Sequence, residues 1–273
     1  LVTAENTYYN TLPSVMVKFD FTDDLVLRLG AGKSLTRPDL DDLGPNVSVE
    51  PSNPPTGSGG NPDLDPFTAW NFDLSLEWYF AATSYLSGSA FYKDIDDLVL
   101  EVGQRSVVRF GQEFSSFTQP QNVGTAEISG IELVYQHMFD FLPAPFNGLG
   151  IQLNATYIDN STSFSDEFEI NELLEDAGFQ GLSDEIYNAS LFYENDIISA
   201  RLAYNERSSF FTGLNIFSPR TQKSFGQLDA SFSYRINDNL ELTLEGVNLF
   251  DEDVENFDAG EPDMRSASSR TGS

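Results

Sequence analysis

The chain has 273 residues, 40% of them hydrophobic, and 43 acidic against 14 basic residues give a net charge of −29. That excess of acid argues against a nucleic-acid partner, because neutralising phosphate requires Lys and Arg. Mean hydropathy is negative and no apolar run approaches the ~18 residues of a membrane helix. A transmembrane β-barrel stays compatible with these numbers, because half of each strand faces a wet lumen.

The first elements in chain order are two strands and a long loop. Leu12 to Phe21 and Leu25 to Leu35 read as strands joined by a tight turn. In the second strand Leu25, Leu27 and Leu29 share one face, since side chains alternate along a strand. Residues 37–66 then lose this period and gain Pro, Gly, Asn and Ser, which predicts an exposed loop.

The third strand, Trp70 to Phe80, has the clearest pattern in the chain. Apolar and polar residues alternate without a break in the sequence WNFDLSLEWYF. Roughly 10 residues at ~3.3 Å each, tilted by ~45°, span about 23 Å, close to the apolar band of an outer-membrane barrel. Because aromatic residues collect at membrane–water boundaries, we predict that Trp70, Trp78, Tyr79 and Phe80 are interface aromatics.

Seven further strands are predicted, and they bring the total to about ten. They are Tyr85 to Glu101, Ile128 to Phe139, Leu149 to Tyr157, Ile186 to Tyr193, Ile197 to Arg207, Leu228 to Ile236 and Leu240 to Leu249. About twenty irregular residues, centred on FGQEFSSFTQPQN, precede Ile128. A loop is predicted from about Asn160 to Ser183, and within it the sequence FEINELLEDAGF predicts a short helix that ends near Gly178. The last segment, Asp251 to Ser273, is polar.

The connections between these strands alternate short and long. Tight turns on one side and long loops on the other are typical of outer-membrane barrels, whereas a soluble sandwich has no reason to place every long loop at one end. The sequence therefore predicts an all-β fold, a transmembrane up-and-down antiparallel β-barrel. The chain begins at Leu1 and ends in SASSRTGS, from which we expect an incomplete fragment.

No grouping of residues predicts catalysis, a cofactor or a metal site. There is no Cys and His137 is the one histidine, so a nitrogen–sulfur zinc site is excluded and we expect His137 to pack at an interface. Asp251, Asp253 and Glu255 resemble the start of a calcium loop. However, Asn256 stands where that loop needs Gly and Pro262 where it needs Glu.

Candidate contacts for a solute come from the lumen face and from the loops. Alternation places four charged residues on the face away from the lipid-facing leucines: Arg28, Glu77, Arg201 and Arg207. Their role is either pairing with the plug or with acids of the lumen, or contact with the solute. The loop candidates are Asp39, Asp41, Phe110, Phe114 and Phe117. Packing of the loops on themselves is the alternative role for this second set.

Six stretches, in order, resemble the TonB-dependent outer-membrane receptors in the C-terminal part of their barrel. They are RLGAGKSLTRPDLDDL, GNPDLDPFTAWNFDLSLEWYF, FYKDIDDLV, GTAEISGIELVYQ, SARLAYNERSSF and LEGVNLFDED. The resemblance implies a 22-stranded barrel, of which residues 1–273 would hold about strands 12 to 21. The N-terminal plug domain and the final strand would be absent from this chain.

The resemblance also implies a function and a location. The protein would be a receptor in the bacterial outer membrane that takes up a scarce solute, such as a ferric siderophore or an oligosaccharide. Its partners would be outer-membrane lipid, its own plug, the TonB complex and a small-molecule solute. Two alternatives stay open: an ungated porin-like channel, and a secreted β-rich carbohydrate-binding or adhesin module.

Overall fold

The computed structural model describes residues 7–165, 174, 177–215, 218–258 and 265–270. Strands dominate these residues, together with one 3-10 turn at Phe146–Gly148. Among the described residues, no helix has the length and apolar character that crossing a membrane requires. The short helix expected before Gly178 falls mostly outside the described residues.

The described residues form sixteen strands. They are β1 Ser14–Asp20, β2 Leu25–Thr36, β3 Val47–Glu50, β4 Thr56–Gly59, β5 Phe67–Ala81, β6 Ser84–Arg109, β7 Gln112–Met138, β8 Leu149–Phe164, β9 Glu185–Glu194, β10 Ile198–Arg207, β11 Phe210–Asn215, β12 Ser218–Gln222, β13 Phe225–Asn237, β14 Leu240–Gly246, β15 Asp253–Asp258 and β16 Arg265–Arg270.

Ten of these strands form one continuous wall in the order β1-β2-β5-β6-β7-β8-β9-β10-β13-β14. Each strand pairs antiparallel with its neighbours. β1 and β14 are the two ends of this path, so the barrel is not closed by the strands described. The predicted up-and-down architecture and the count of about ten wall strands are confirmed.

The long connections lie on one rim and contain structure that the sequence analysis assigned to loops. The hairpin β3–β4 joins the wall through parallel pairing of β4 with β7. A second sheet, β11-β12-β15-β16, is built from the connections after β10 and β14. The polar segment after Asp251, for which no strand was predicted, contributes β15, which pairs with both β12 and β16.

The largest correction concerns the residues before Ile128, which were expected to be irregular. β6 and β7 are 26 and 27 residues long and pair up to a turn at Phe110 and Gly111. Backbone groups satisfy each other along this hairpin, so a regular ladder continues well beyond the predicted wall strands. The long connection is thus a protruding hairpin.

Candidate functional site: the lumen wall and its extracellular rim

The two faces of the wall have opposite chemistry, and the strand register fixes which residues share a face. Leu27 stands opposite Leu76, Leu76 opposite Gly88 and Gly88 opposite Leu133. Most leucines of this face are exposed, with Leu74, Leu76 and Leu202 each 44% accessible. A sandwich would bury them in a dry centre. Their exposure on a single sheet identifies this side as the lipid-facing side of a barrel.

Aromatic side chains mark both limits of the apolar band. At the rim with the long connections, Trp70 stacks on Phe72 at 6.3 Å and Phe72 contacts Tyr92 at 6.3 Å. At the opposite rim, Trp78 and Phe80 lie 5.3 Å apart. Trp70, Trp78 and Phe80 thus lie on the same face as the leucines, at the two ends of the apolar band.

Tyr79, the fourth predicted interface aromatic, lies on the other face of β5 from Trp78 and Phe80. Its hydroxyl donates a hydrogen bond to Glu77 Oε2 at 2.7 Å, and its ring contacts Tyr85 at 5.8 Å. Residues two apart on a strand share a face, so Tyr79 lies on the lumen side with Glu77. Alternation along the strand predicts this face.

His137 belongs to the aromatic cluster at the rim with the tight turns. Its ring lies 4.9 Å from that of Phe139 and 5.3 Å from that of Phe80. The ring packing is that of an interface residue, as expected. Among the residues the structure describes, no three His, Cys, Asp or Glu side chains are placed to hold a metal ion.

Arg28 and Glu77 form an ion pair across β2 and β5 on the lumen face. Arg28 Nε donates to Glu77 Oε1 at 2.9 Å, and Glu77 also accepts from Tyr79 and, at 3.5 Å, from Ser75. Both predicted residues therefore face the lumen and are paired with each other. Both carboxylate oxygens of Glu77 accept hydrogen bonds in this arrangement, so the pair holds the wall together.

Arg201 and Arg207 also face the lumen but have different partners. Arg201 Nε donates to Ser190 Oγ at 2.9 Å. Arg207 lies nearer the extracellular rim, where it donates to Ser183 Oγ and to the Gly181 carbonyl and stacks 3.7 Å over the ring of Phe210. Arg207 therefore anchors the connection between β8 and β9, whereas Arg201 stays in the middle of the wall.

The loop phenylalanines divide into a buried pair and an exposed tip. Phe114 and Phe117 are 2% and 3% exposed, with ring centroids 5.2 Å apart. A Cβ placed on Gly57 of β4 would lie 2.8 Å from both rings, so β4 covers them closely. Burial of this pair favours the second of the two roles considered for them, packing of the loops on themselves. Phe110, at the hairpin turn, is 77% exposed.

Asp39 and Asp41 lie on a turn at the extracellular rim. The Asp39 carbonyl accepts hydrogen bonds from Asp42 and Leu43, which closes the turn, and the side chains of Asp39 and Asp41 are exposed. The neighbour Asp42 is half-buried. Burial raises the pKa of its carboxyl above 3.8, and the charges of Asp39 and Asp41 raise it further.

The sequence NPDLDP, just before β5, takes part in a set of hydrogen bonds to Asn122 that we call the clamp. The sequence analysis did not predict this contact. Asn122 of β7 donates to the carbonyls of Asp65 and Asp97 at 2.9 Å each and accepts from the Asp65 amide. Leu64 is 1% exposed beneath it. Asp97 has a positive φ of 62° at the place where β6 and β7 lose register, so the clamp fixes the protruding hairpin at its base.

Asp97 has a carboxyl pKa above its ordinary value of 3.8. Burial is the largest cause, the charges of Asp65 and Asp96 add to it, and Lys33 opposes it. Aspartates thus crowd the extracellular rim beside the clamp. The composition predicts that this surface is acidic, but it does not predict which aspartates lie there.

An apolar core lies on the lumen side of the wall, at the rim with the long connections. It is built from the inner faces of β6, β7 and β8 together with the connection before β9 and a residue of β11. Its most buried members include Val123, Ala126 and Leu174, each at most 1% exposed, and Phe211 at 2%. Phe179 and Leu182 pack against it. The described part of the connection between β8 and β9, residues 174 and 177–184, therefore folds inward over the wall.

One lipid-facing and one lumen-facing side on a ten-strand antiparallel wall define the class of protein, an outer-membrane β-barrel. Residues 2–249 match the family described as TonB dependent receptor-like, beta-barrel, and the chain belongs to this family. A search of curated proteins gave no match.

Solved structures with the same fold cover 89% of this chain. They include a ferric enterobactin receptor variant (PfeA) from Pseudomonas aeruginosa in complex with enterobactin, at 17% identity and a TM-score of 0.63. The siderophore receptor PirA from Acinetobacter baumannii shows 18% identity and a TM-score of 0.62, and the copper transporter OprC 20% and 0.61. This chain spans 36%, 37% and 34% of those proteins, respectively.

Proposed function

We propose that this chain is the C-terminal part of the barrel of an outer-membrane receptor that takes up a scarce solute with energy from TonB. A plug domain and a final barrel strand would be supplied by other parts of the intact protein. The observation that carries the proposal is the wall itself, with an apolar outer face, a polar lumen face and every long connection on one rim. Membership of the receptor family supports it.

Recognition of the solute is assigned to the extracellular rim and its release to the lumen. Phe110, Asp39 and Asp41 are the predicted loop candidates that stay exposed. Among the described residues, Arg201 is a predicted lumen candidate that bonds to Ser190 and not to a carboxylate. No covalent step is needed, because binding and passage are the whole of the chemistry. The solute candidates are a ferric siderophore, an oligosaccharide or a similar compound.

Uptake by cells tests the proposal. A strain lacking the full-length gene is compared with the parent strain, in each case with and without a working TonB, for accumulation of radiolabelled ferric siderophores and oligosaccharides. The proposal predicts loss of uptake of one solute on deletion of the gene and an equal loss on deletion of TonB. Uptake that needs the gene but not TonB would indicate a porin-like channel. Recovery of the protein from the medium, soluble without detergent, would indicate a secreted module.

A further inference from the structure

A polar groove of about 290 Å³ lies on the lumen face of β8, β9 and β10. Its side chains are amides, a hydroxyl and one guanidinium, from Gln152, Asn154, Asn188, Ser190, Arg201 and Asn205. The groove is separate from the loop candidates at the extracellular rim. It faces the path that any solute passing through the lumen must take.

The register of the strands places the amides in a row. Asn154 stands opposite Asn188, and Asn188 stands opposite Asn205. Neighbouring strands are about 4.8 Å apart, so the three amides repeat at that spacing across the wall. Gln152 stands opposite Ser190 in the adjacent row. The groove is therefore a regular array of groups that each combine a hydrogen-bond donor and acceptor.

Most of this hydrogen-bonding capacity is unused within the wall. In the part of the chain that the structure describes, the side chains of Gln152, Asn188 and Asn205 make no hydrogen bond, and Asn154 accepts only a long one, 3.4 Å from Thr156 Oγ1. Within the described ranges, Arg201 is bonded to Ser190 and to no carboxylate. Arg28 differs from Arg201 in this respect, because Arg28 forms an ion pair with Glu77 on the same face.

We propose that this groove binds an uncharged, hydroxyl-rich solute, a carbohydrate-like compound, during its passage through the lumen. The inference rests on the proposed function and narrows its solute class. Neighbouring hydroxyls need a donor and an acceptor side by side, which each amide supplies. An anionic chelate would need several cations, and the groove has one. Separate neutral contacts also let a solute leave, as passage requires.

The test uses the full-length receptor in cells, with one thiol introduced in the groove. The 273 residues contain no cysteine, so Asn188→Cys adds a single reactive site to this part of the protein. Two reagents are compared, a glucosyl methanethiosulfonate and the anionic sulfonatoethyl methanethiosulfonate, and peptide mass mapping follows the modified position. Ser87→Cys is the matched control, because Ser87 lies in the same register row, on β6 beyond Val134 and Asn154.

The proposal predicts that, in cells with a working TonB, Asn188→Cys reacts several-fold faster with the glucosyl reagent, relative to the anionic one, than Ser87→Cys does. Adding Asn205→Leu should remove this preference. An equal preference at both positions would overturn the proposal. No reaction at Asn188→Cys under any condition would also overturn it, by showing that the groove is covered by the plug. TonB-dependent uptake in the same cells would then show that the groove assignment fails while the receptor function stands.

Discussion

Among single residues, Glu77 has the densest set of side-chain contacts on the lumen wall. Its carboxylate accepts from Arg28, Tyr79 and Ser75, which links β2 to β5 close to the rim with the tight turns. A carboxylate with charged and neutral donors holds its partners in one geometry. Arg28, by this contact, is oriented along the wall and kept away from the lipid.

Replacing Glu77 by Gln should loosen this corner of the wall. The amide keeps the size of the side chain but loses the charge that pairs with Arg28, so we expect the melting temperature of the full-length receptor to fall by a few degrees in thermal unfolding. Tyr79→Phe removes a single hydrogen bond and should cause a smaller fall. An unchanged melting temperature for Glu77→Gln would show that the ion pair adds nothing to stability.

Asp42 gives the extracellular turn a pH dependence whose sign follows from its raised pKa. A carboxyl whose folded pKa exceeds the unfolded value favours the folded turn fully below about 3.8, and this contribution is lost as the pH rises through the folded pKa. The protection factors of the Leu43 and Gly44 amides, which compare their hydrogen exchange with that of an unfolded peptide at the same pH, should therefore fall over that range. Asp42→Asn should abolish the change, whereas Glu50→Gln, an exposed substitution in the same connection, should leave it in place.

Among the elements, the β6–β7 hairpin shows how far sequence patterns reach. Trp70 to Phe80 was predicted correctly because one side meets lipid and the other water, which imposes a period of two. In the hairpin, Ser106 and Ser115 are not paired with each other in the ladder. Ser106 has a φ of 50°, and the Ser115 amide donates its hydrogen bond to the Pro55 carbonyl. This distortion brings Phe114 and Phe117 together at a spacing of three, so no alternation is visible.

For the lumen candidates, the sequence pattern predicted the face of each side chain but not its partners. Arg28, Glu77, Arg201 and Arg207 were assigned to the correct face, because alternation within a strand is a local property. Their partners come from other strands or connections, as Ser183 does for Arg207. The amide groove was missed for this reason, since Asn154, Asn188 and Asn205 are brought into one row only by the register.

Phe114→Ala should detach β3 and β4 from the protruding hairpin. Removal of a buried phenyl ring costs about 3–5 kcal/mol, and the ring lies directly against Gly57. Limited proteolysis of the receptor on intact cells should then cleave the connection between β2 and β5 faster than in the unsubstituted protein. Phe110→Ala, at the exposed tip, should leave cleavage unchanged. Equal cleavage in the two variants would contradict this account of the packing.

At the scale of the whole molecule, the outer face is the feature that limits substitution. Leu202 and Ala203 are neighbours on β10 that lie on opposite faces, because Leu202 stands opposite Leu191 and Ala203 opposite Ser190. Arginine on the lipid face costs about 2–4 kcal/mol near mid-membrane, whereas on the lumen face it meets water. Leu202→Arg should reduce the amount of folded receptor in the outer membrane, measured by heat-modifiable mobility, and Ala203→Arg should not.

Spin-label accessibility along β5 tests the division into a lipid face and a lumen face most directly. Nitroxides are attached one at a time at Leu74, Ser75, Leu76 and Glu77 of the full-length receptor in lipid bilayers, and their collisions with oxygen and with a water-soluble nickel chelate are measured. The account predicts strict alternation, with oxygen reaching positions 74 and 76 and the chelate favouring positions 75 and 77. Uniform accessibility, or the opposite alternation, would contradict it.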